Sequence, residues 1–171
     1  GGSAPRQYFS AVEAGCRDAC VHGPLGFPVV DVAVTLVDGS YHTVDSSDMA
    51  FRTAARIGMQ EALEKSGPVL LEPILAVSIA VPTEAMSRAT AIVSGRRGQI
   101  LGFDGRPGWD GWDVLEAQIP EAEMGGLIVD LRSATSGVGS YTAKFDHLAE
   151  VVGKHADAIV AARASEKVNG H

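Results

Sequence analysis

Residues 39–47 read Gly-Ser-Tyr-His-Thr-Val-Asp-Ser-Ser, the most unusual polar stretch of the chain. Three chemistries are open to it. His42 and Asp45 carry the side chains of an acid–base pair or of two metal ligands, but the stretch offers no third ligand and no defined pocket. Asp45, Ser46 or Ser47 can instead cap a following helix, which leaves a solvated loop. Or Tyr41 and His42 can stack on bases while Ser40 and Ser46 bond phosphates, which makes the loop a surface for RNA. Residue types alone do not choose among the three. Arg96 and Arg97, side by side at a helix end, and Arg132, near the end of another helix, carry a second ambiguity. They can complement a helix dipole in solvent or contact phosphate. The chain has no G-x-x-x-x-G-K-[ST], G-x-S-x-G, H-E-x-x-H or paired C-x-x-C motif, so no catalytic residue and no metal ligand is assigned. Gly137-Val138-Gly139 reads as a turn. Cys16 and Cys20, four apart on a predicted helix, read as small apolar residues.

The elements that must hold these residues follow from periodicity. Ser3 and Pro5 suit the start of a helix, with Tyr8, Val12, Gly15, Cys16 and Ala19 on one face and His22-Gly23-Pro24 as its stop. Val30 to Val37 alternates and predicts a strand, with Val30, Val32, Val34 and Leu36 pointing one way. Asp38-Gly39 is a turn into the polar loop. Phe51, Ala54, Ala55, Gly58, Met59, Ala62 and Leu63 then mark a helix, stopped by Ser66-Gly67-Pro68. Pro68 is the expected domain boundary. Beyond it the order is strand (Leu70–Val81, with Pro73 at an edge or bulge), helix (capped by Thr83), strand (Gln99–Phe103), glycine-rich hairpin loop (104–111) and strand (Val114–Ile119). A helix opening at Pro120 and a strand (Ser140–Phe145) complete it. This βαββαβ order is the ferredoxin-like plan, so the fold class is α+β. Ala156–Ala164 predicts a last helix before a polar tail. The expected division is 1–67, 68–150 and 151–171.

Hydrophobic residues make up 46% and charged residues 20% of the 171, a globular composition. The net charge of −7 weighs against a nucleic-acid partner, since phosphate binding rests on clustered Lys and Arg. No signal peptide and no apolar run of membrane-spanning length is seen, so a cytoplasmic location is expected.

Six blocks stand in one order: GGSAPRQYFSAVEAG, GFPVVDVAVTLVDGSYHTVDSSDMAF, PVLLEPIL, GRRGQILG, LRSATSGVGSYT and FDHL. In order and spacing they resemble elongation factor G, over Gly1 to about Leu148. The resemblance implies that 1–67 is the later part of domain IV, a partial ribosomal-protein-S5-like module, and that 68–150 is domain V, ferredoxin-like. The opening strands of domain IV and the GTPase domain would lie upstream. It further implies a ribosome-binding piece of a factor promoting tRNA–mRNA translocation. The tip loop, Gly39, Ser40, Tyr41, His42, Asp45 and Ser46, would contact RNA, with His42 where the family has a histidine critical to translocation. Arg96, Arg97 and Arg132 become candidate rRNA contacts. Implied partners are the ribosome (rRNA, tRNA–mRNA, stalk-base proteins) and upstream GTPase domains. No enzymatic activity and no cofactor is expected of this stretch; GTP and Mg would serve the whole protein. SRATAIVSG replaces a start with Gly-Asp, and IPEAEMGGLIVDLRS lacks an aromatic before the LRS block. Both departures suggest an elongation-factor-G-like paralogue, acting in recycling or ribosomal protection. A ferredoxin-like small-molecule-sensing module, with a pocket at the sheet or a dimer edge, and a hydrolase using His42 and Asp45 are the competing readings.

Overall fold

Glycine at position 15 decides how closely the first two helices meet. A Cβ there would lie 2.2 Å from the carbonyl oxygen of Arg52 and 2.9 Å from Ala55 Cβ, so only a residue without a side chain allows this approach. The two helices are α1 (Phe9–Val21) and α2 (Asp48–Lys65), seen in a computed structural model that describes residues 4–169, with side chains to residue 166. The described residues divide into two units, one holding the chain up to Leu70 and from Val152 onward, the other Leu71–Val151.

In the first unit a 3₁₀ turn, Arg6–Tyr8, leads into α1; Ser3, expected as a cap, lies outside the described residues. Ser47 caps α2, its hydroxyl accepting from Ala50 N–H at 3.1 Å. Ala19, Met59 and Leu63 form the buried core between the helices, with Cys16, Cys20 and Val29 packed beside it. Across the helix pair Arg52 donates to both carboxylate oxygens of Asp18, at 2.6 and 2.9 Å. Helix α5 (Gly153–Asn169) belongs to this unit. Its Arg163 donates to Gly26 O at 3.2 Å and stacks over Phe27 at 5.3 Å.

The strand expected at Val30–Val37 does not form. A strand exists through its ladder, and among the described residues no segment pairs with this one. Asp31, with φ 56°, also interrupts the extended path that the alternation predicts. The alternating face therefore stays open: Val30, Val32, Val34 and Leu36 are exposed and, with Phe9 and Val12 of α1, line a groove of about 1110 Å³. On α2, Ala54, Gly58 and Ala62, expected inward, are exposed too.

The second unit is one antiparallel sheet of β1 (Leu71–Pro82), β2 (Gln99–Gly105), β3 (Trp112–Pro120) and β4 (Ser140–Glu150), in the order β2-β3-β1-β4. Helices α3 (Met86–Ser94) and α4 (Leu127–Ala134) cover one face, where the inward residues of the two central strands, β1 and β3, pack on them. Val77 pairs with Ala117 and Ile79 with Leu115; these four join Val81, Ile119, Ala89, Val93, Leu127 and Leu131 in a fully buried core. Each large aliphatic there contributes about 1.5–3 kcal/mol of transfer free energy. Pro73, lacking an N–H, pairs with Leu148 of β4 just before the ladder with β3 begins at Ile74, and the β4 register shifts between Ile74 and Leu75. That is the end-and-bulge position where the residue is tolerated.

Two helix starts differ from expectation. Thr83 makes no side-chain cap; it opens a 3₁₀ turn, Thr83–Ala85, ahead of α3. Pro120 likewise precedes only a 3₁₀ turn, Glu121–Glu123, and α4 begins after Gly126, whose φ of 74° lies outside the helical range. Gly125-Gly126 thus breaks in two the segment expected as one helix from Pro120.

Candidate functional site

The polar loop between Gly39 and Ser46 is closed by its own residues. His42 N–H donates to Ser46 Oγ at 2.9 Å, and Ser46 N–H donates to His42 O at 3.0 Å. At its entry Gly39 N–H donates to Asp38 Oδ1 at 2.8 Å. The two serines divide the work: Ser46 fastens the loop and Ser47 caps α2. Of the three caps the sequence offered, only Ser47 serves.

Three aromatics hold the base of this loop. Tyr8 stacks on Phe51 of α2 with centroids 4.4 Å apart and planes 15° apart, and the Tyr41 ring sits 6.1 Å from Tyr8, tilted by 38°. The Tyr8 hydroxyl reaches Ser46 O at 3.5 Å, a distance too long for a strong bond. Tyr8 and Phe51 were legible only as helix-face residues. Their pairing joins residues 43 apart, which no local pattern reports. Above this footing Ser40, His42, Thr43, Val44 and Asp45 are exposed.

The hydrolase reading of His42 and Asp45 fails on this geometry. Both are exposed, neither lines the groove described above, and no group of three metal-ligating side chains occurs among the described residues. General acid–base chemistry needs a proton-bearing partner held at hydrogen-bond distance and sheltered from water. The loop offers a rigid, exposed, hydrogen-bonding surface instead.

The arginines are placed differently from one another. Arg96 donates to the carbonyls of Glu123 and Gly125 and pairs with Asp130, with its side chain mostly buried. It thereby closes the break ahead of α4. Arg97, at φ 55°, forks onto both carboxylate oxygens of Glu72, at 2.8 and 2.9 Å, and reaches Glu123 at 3.0 Å. The Glu72 hydrogen bonds hold its guanidinium above its ordinary range, against the opposing effect of burial. Both side chains therefore tie α3, β1 and the approach to α4 together. Arg132 is exposed on α4, and no ion pair among the described residues includes it.

Comparison with known proteins agrees with this architecture. Residues 1–67 match the family model described as elongation factor G, domain IV, and residues 69–159 match elongation factor G C-terminus. An elongation factor G-like protein of Synechocystis sp. (strain ATCC 27184 / PCC 6803 / Kazusa) is 54% identical over 156 residues, 91% of this chain and 23% of the relative. A crystal structure of a Thermus thermophilus protein superposes with a TM-score of 0.85 at 38% identity, covering 96% of this chain and 25% of that one. The chain thus spans about a quarter of the length of these relatives. Two family models that between them match residues 1–67 and 69–159, and a fold shared with a 38% identical structure, make this chain a member of the elongation factor G family, carrying its domain IV and C-terminal domain sequences.

Proposed function

We propose that this chain is the ribosome-binding portion of an elongation-factor-G-type translational GTPase, acting in the cytoplasm, and that the loop from Gly39 to Ser46 is its contact with RNA during tRNA–mRNA translocation. The observation that carries the reading is the loop itself. It is closed by the reciprocal His42–Ser46 bonds, footed on the Tyr8–Phe51 stack, and presents His42 to solvent. A surface fixed before contact loses little conformational entropy on docking. His42 and Ser40 supply a ring for stacking and a hydroxyl for phosphate; Tyr41, partly engaged with Tyr8, supplies less. The mechanism is steric and electrostatic, the occupation of one state of a two-state machine, and uses no bond chemistry within this chain. GTP and Mg would be handled by a GTPase domain outside it. Of the arginines, Arg132 is the best rRNA contact, because Arg96 and Arg97 are committed to internal partners.

The test is His42→Ala in the whole factor, with the rate of tRNA–mRNA movement timed in single turnover. A loss of at least tenfold with ribosome binding retained is expected. An unchanged rate would refute the loop's role. The Synechocystis relative's name, elongation factor G-like, favours a paralogue over the main translocase as a second reading. A factor that splits ribosomes faster than it moves tRNA in the same assay would establish it.

A further inference from the structure

The β2–β3 hairpin ends in Arg106-Pro107-Gly108-Trp109-Asp110-Gly111-Trp112, a segment to which the function proposed above gives no part. Its backbone is fastened three times. Arg106 N–H donates to Trp112 O at 2.8 Å, Trp109 N–H to Arg106 O at 3.0 Å and Trp112 N–H to Trp109 O at 3.2 Å. Gly108 and Gly111, at φ 77° and 76°, provide the reversals. The side chains are fastened as well. The two indoles meet edge to face with centroids 5.3 Å apart, and the Arg106 guanidinium lies 4.0 Å from the Trp109 centroid and 5.5 Å from that of Trp112.

A stack of this kind can serve to stiffen a long hairpin loop. Trp112, half-buried, and the backbone bonds already do that. Trp109 leaves 50% of its surface in water, and on the adjoining strand Leu101 and Phe103 are exposed at 57% and 68%. A rigid, half-exposed indole backed by an arginine is the composition of an interface hot spot, with its ordering cost met before contact. Charge selects the partner. Residues 99–118 hold Asp104, Asp110, Asp113 and Glu116 against the single basic residue Arg106, whose cation already faces the rings. Phosphate is repelled by such a tip, whereas a Lys- and Arg-rich surface is drawn to it.

We propose that this tip is a docking knob for a basic protein, with Trp109 entering an apolar socket framed by cationic side chains. The inference rests on the ribosome-binding reading, under which the partner is a ribosomal protein and not rRNA.

Both tryptophans of the sequence lie in this tip, so 7-azatryptophan incorporated in their place, excited on the red side of the partner proteins' own tryptophan absorption, reports on it alone. The chain is titrated with whole ribosomes, with RNA-free ribosomal proteins extracted from them, and with protein-free rRNA, while co-sedimentation records ribosome binding independently. A blue shift with ribosomes and with the protein fraction, and none with rRNA, is expected. Trp109→Ala should weaken co-sedimentation roughly tenfold, and Trp109→Phe less. Asp110→Lys, outside the stack, should weaken it several-fold; an RNA contact would be strengthened by the same change. Co-sedimentation with native emission, an emission change with rRNA alone, or full binding by Trp109→Ala overturns the knob and leaves the ribosome reading standing. Absence of any co-sedimentation overturns both.

Discussion

Thr135 is the buried polar side chain among the described residues, 5% exposed, and both halves of its hydroxyl are used. It donates to Leu131 O at 2.7 Å and accepts from Gly139 N–H at 2.7 Å. The single oxygen ends α4 and starts the turn into β4. Thr135→Val keeps the volume and strands a buried N–H, so urea unfolding of the second unit should show a loss of about 1–3 kcal/mol, while Thr135→Ser should lose less. Asp18 makes the corresponding point for charge. Its carboxyl is held below the ordinary range, first by the Arg52 hydrogen bond. The folded-state value is depressed, so the pair's contribution is complete above the unfolded value of about 3.9 and is lost as pH falls through the lowered value. Asp18→Asn should therefore flatten the acid limb of α1–α2 melting followed by circular dichroism; an unchanged limb would show that the pair contributes nothing to it.

At the scale of elements, the helix pair depends on one missing side chain. Gly15→Leu must push α1 off the Arg52 carbonyl, and overpacking of this kind costs about 1–3 kcal/mol or more. The expected readout is a lower melting midpoint for the first unit with the second unit's transition unmoved. Elements with a strong local period were legible: α1, α2 and the four strands of the sheet fall where apolar spacing put them, within a few residues. The failures share a cause. At Thr83 and Pro120 the sequence carried start signals, but the chain first makes a 3₁₀ turn, and where α4 begins is decided by Gly126 and by Arg96 bonding the carbonyls of Glu123 and Gly125. Val30–Val37 has a strand's alternation without a strand's partner, and alternation carries no hydrogen bonds.

The two units differ in how much apolar surface each encloses. The second buries a contiguous core drawn from four elements and the turn before α3; the core cluster of the first, among the described residues, is the smaller set Ala19, Met59 and Leu63. Local opening free energy follows enclosed apolar contact. Amides of β1 and β3 should therefore exchange far more slowly than those of α1 and α2, by at least a hundredfold in native-state hydrogen exchange. Equal protection would mean that the small core is supplemented by contacts not apparent in it. The open groove of the first unit belongs to the same imbalance: its apolar face was patterned for burial and is uncovered here.

Periodicity by itself determined α1, α2 and the split βαβ order, and the resemblance of six ordered blocks pointed to the family, because a period of 3.6 or 2 and a run of blocks are both properties of neighbours along the chain. Tertiary structure alone decided what the polar residues do. Ser46 went to His42 and Ser47 to α2, Arg96 and Arg97 went to carboxylates and carbonyls 25 or more positions away, and Arg106 went to two indoles. A donor's type fixes which partners it can accept, but only the folded chain brings one of them within about 3 Å.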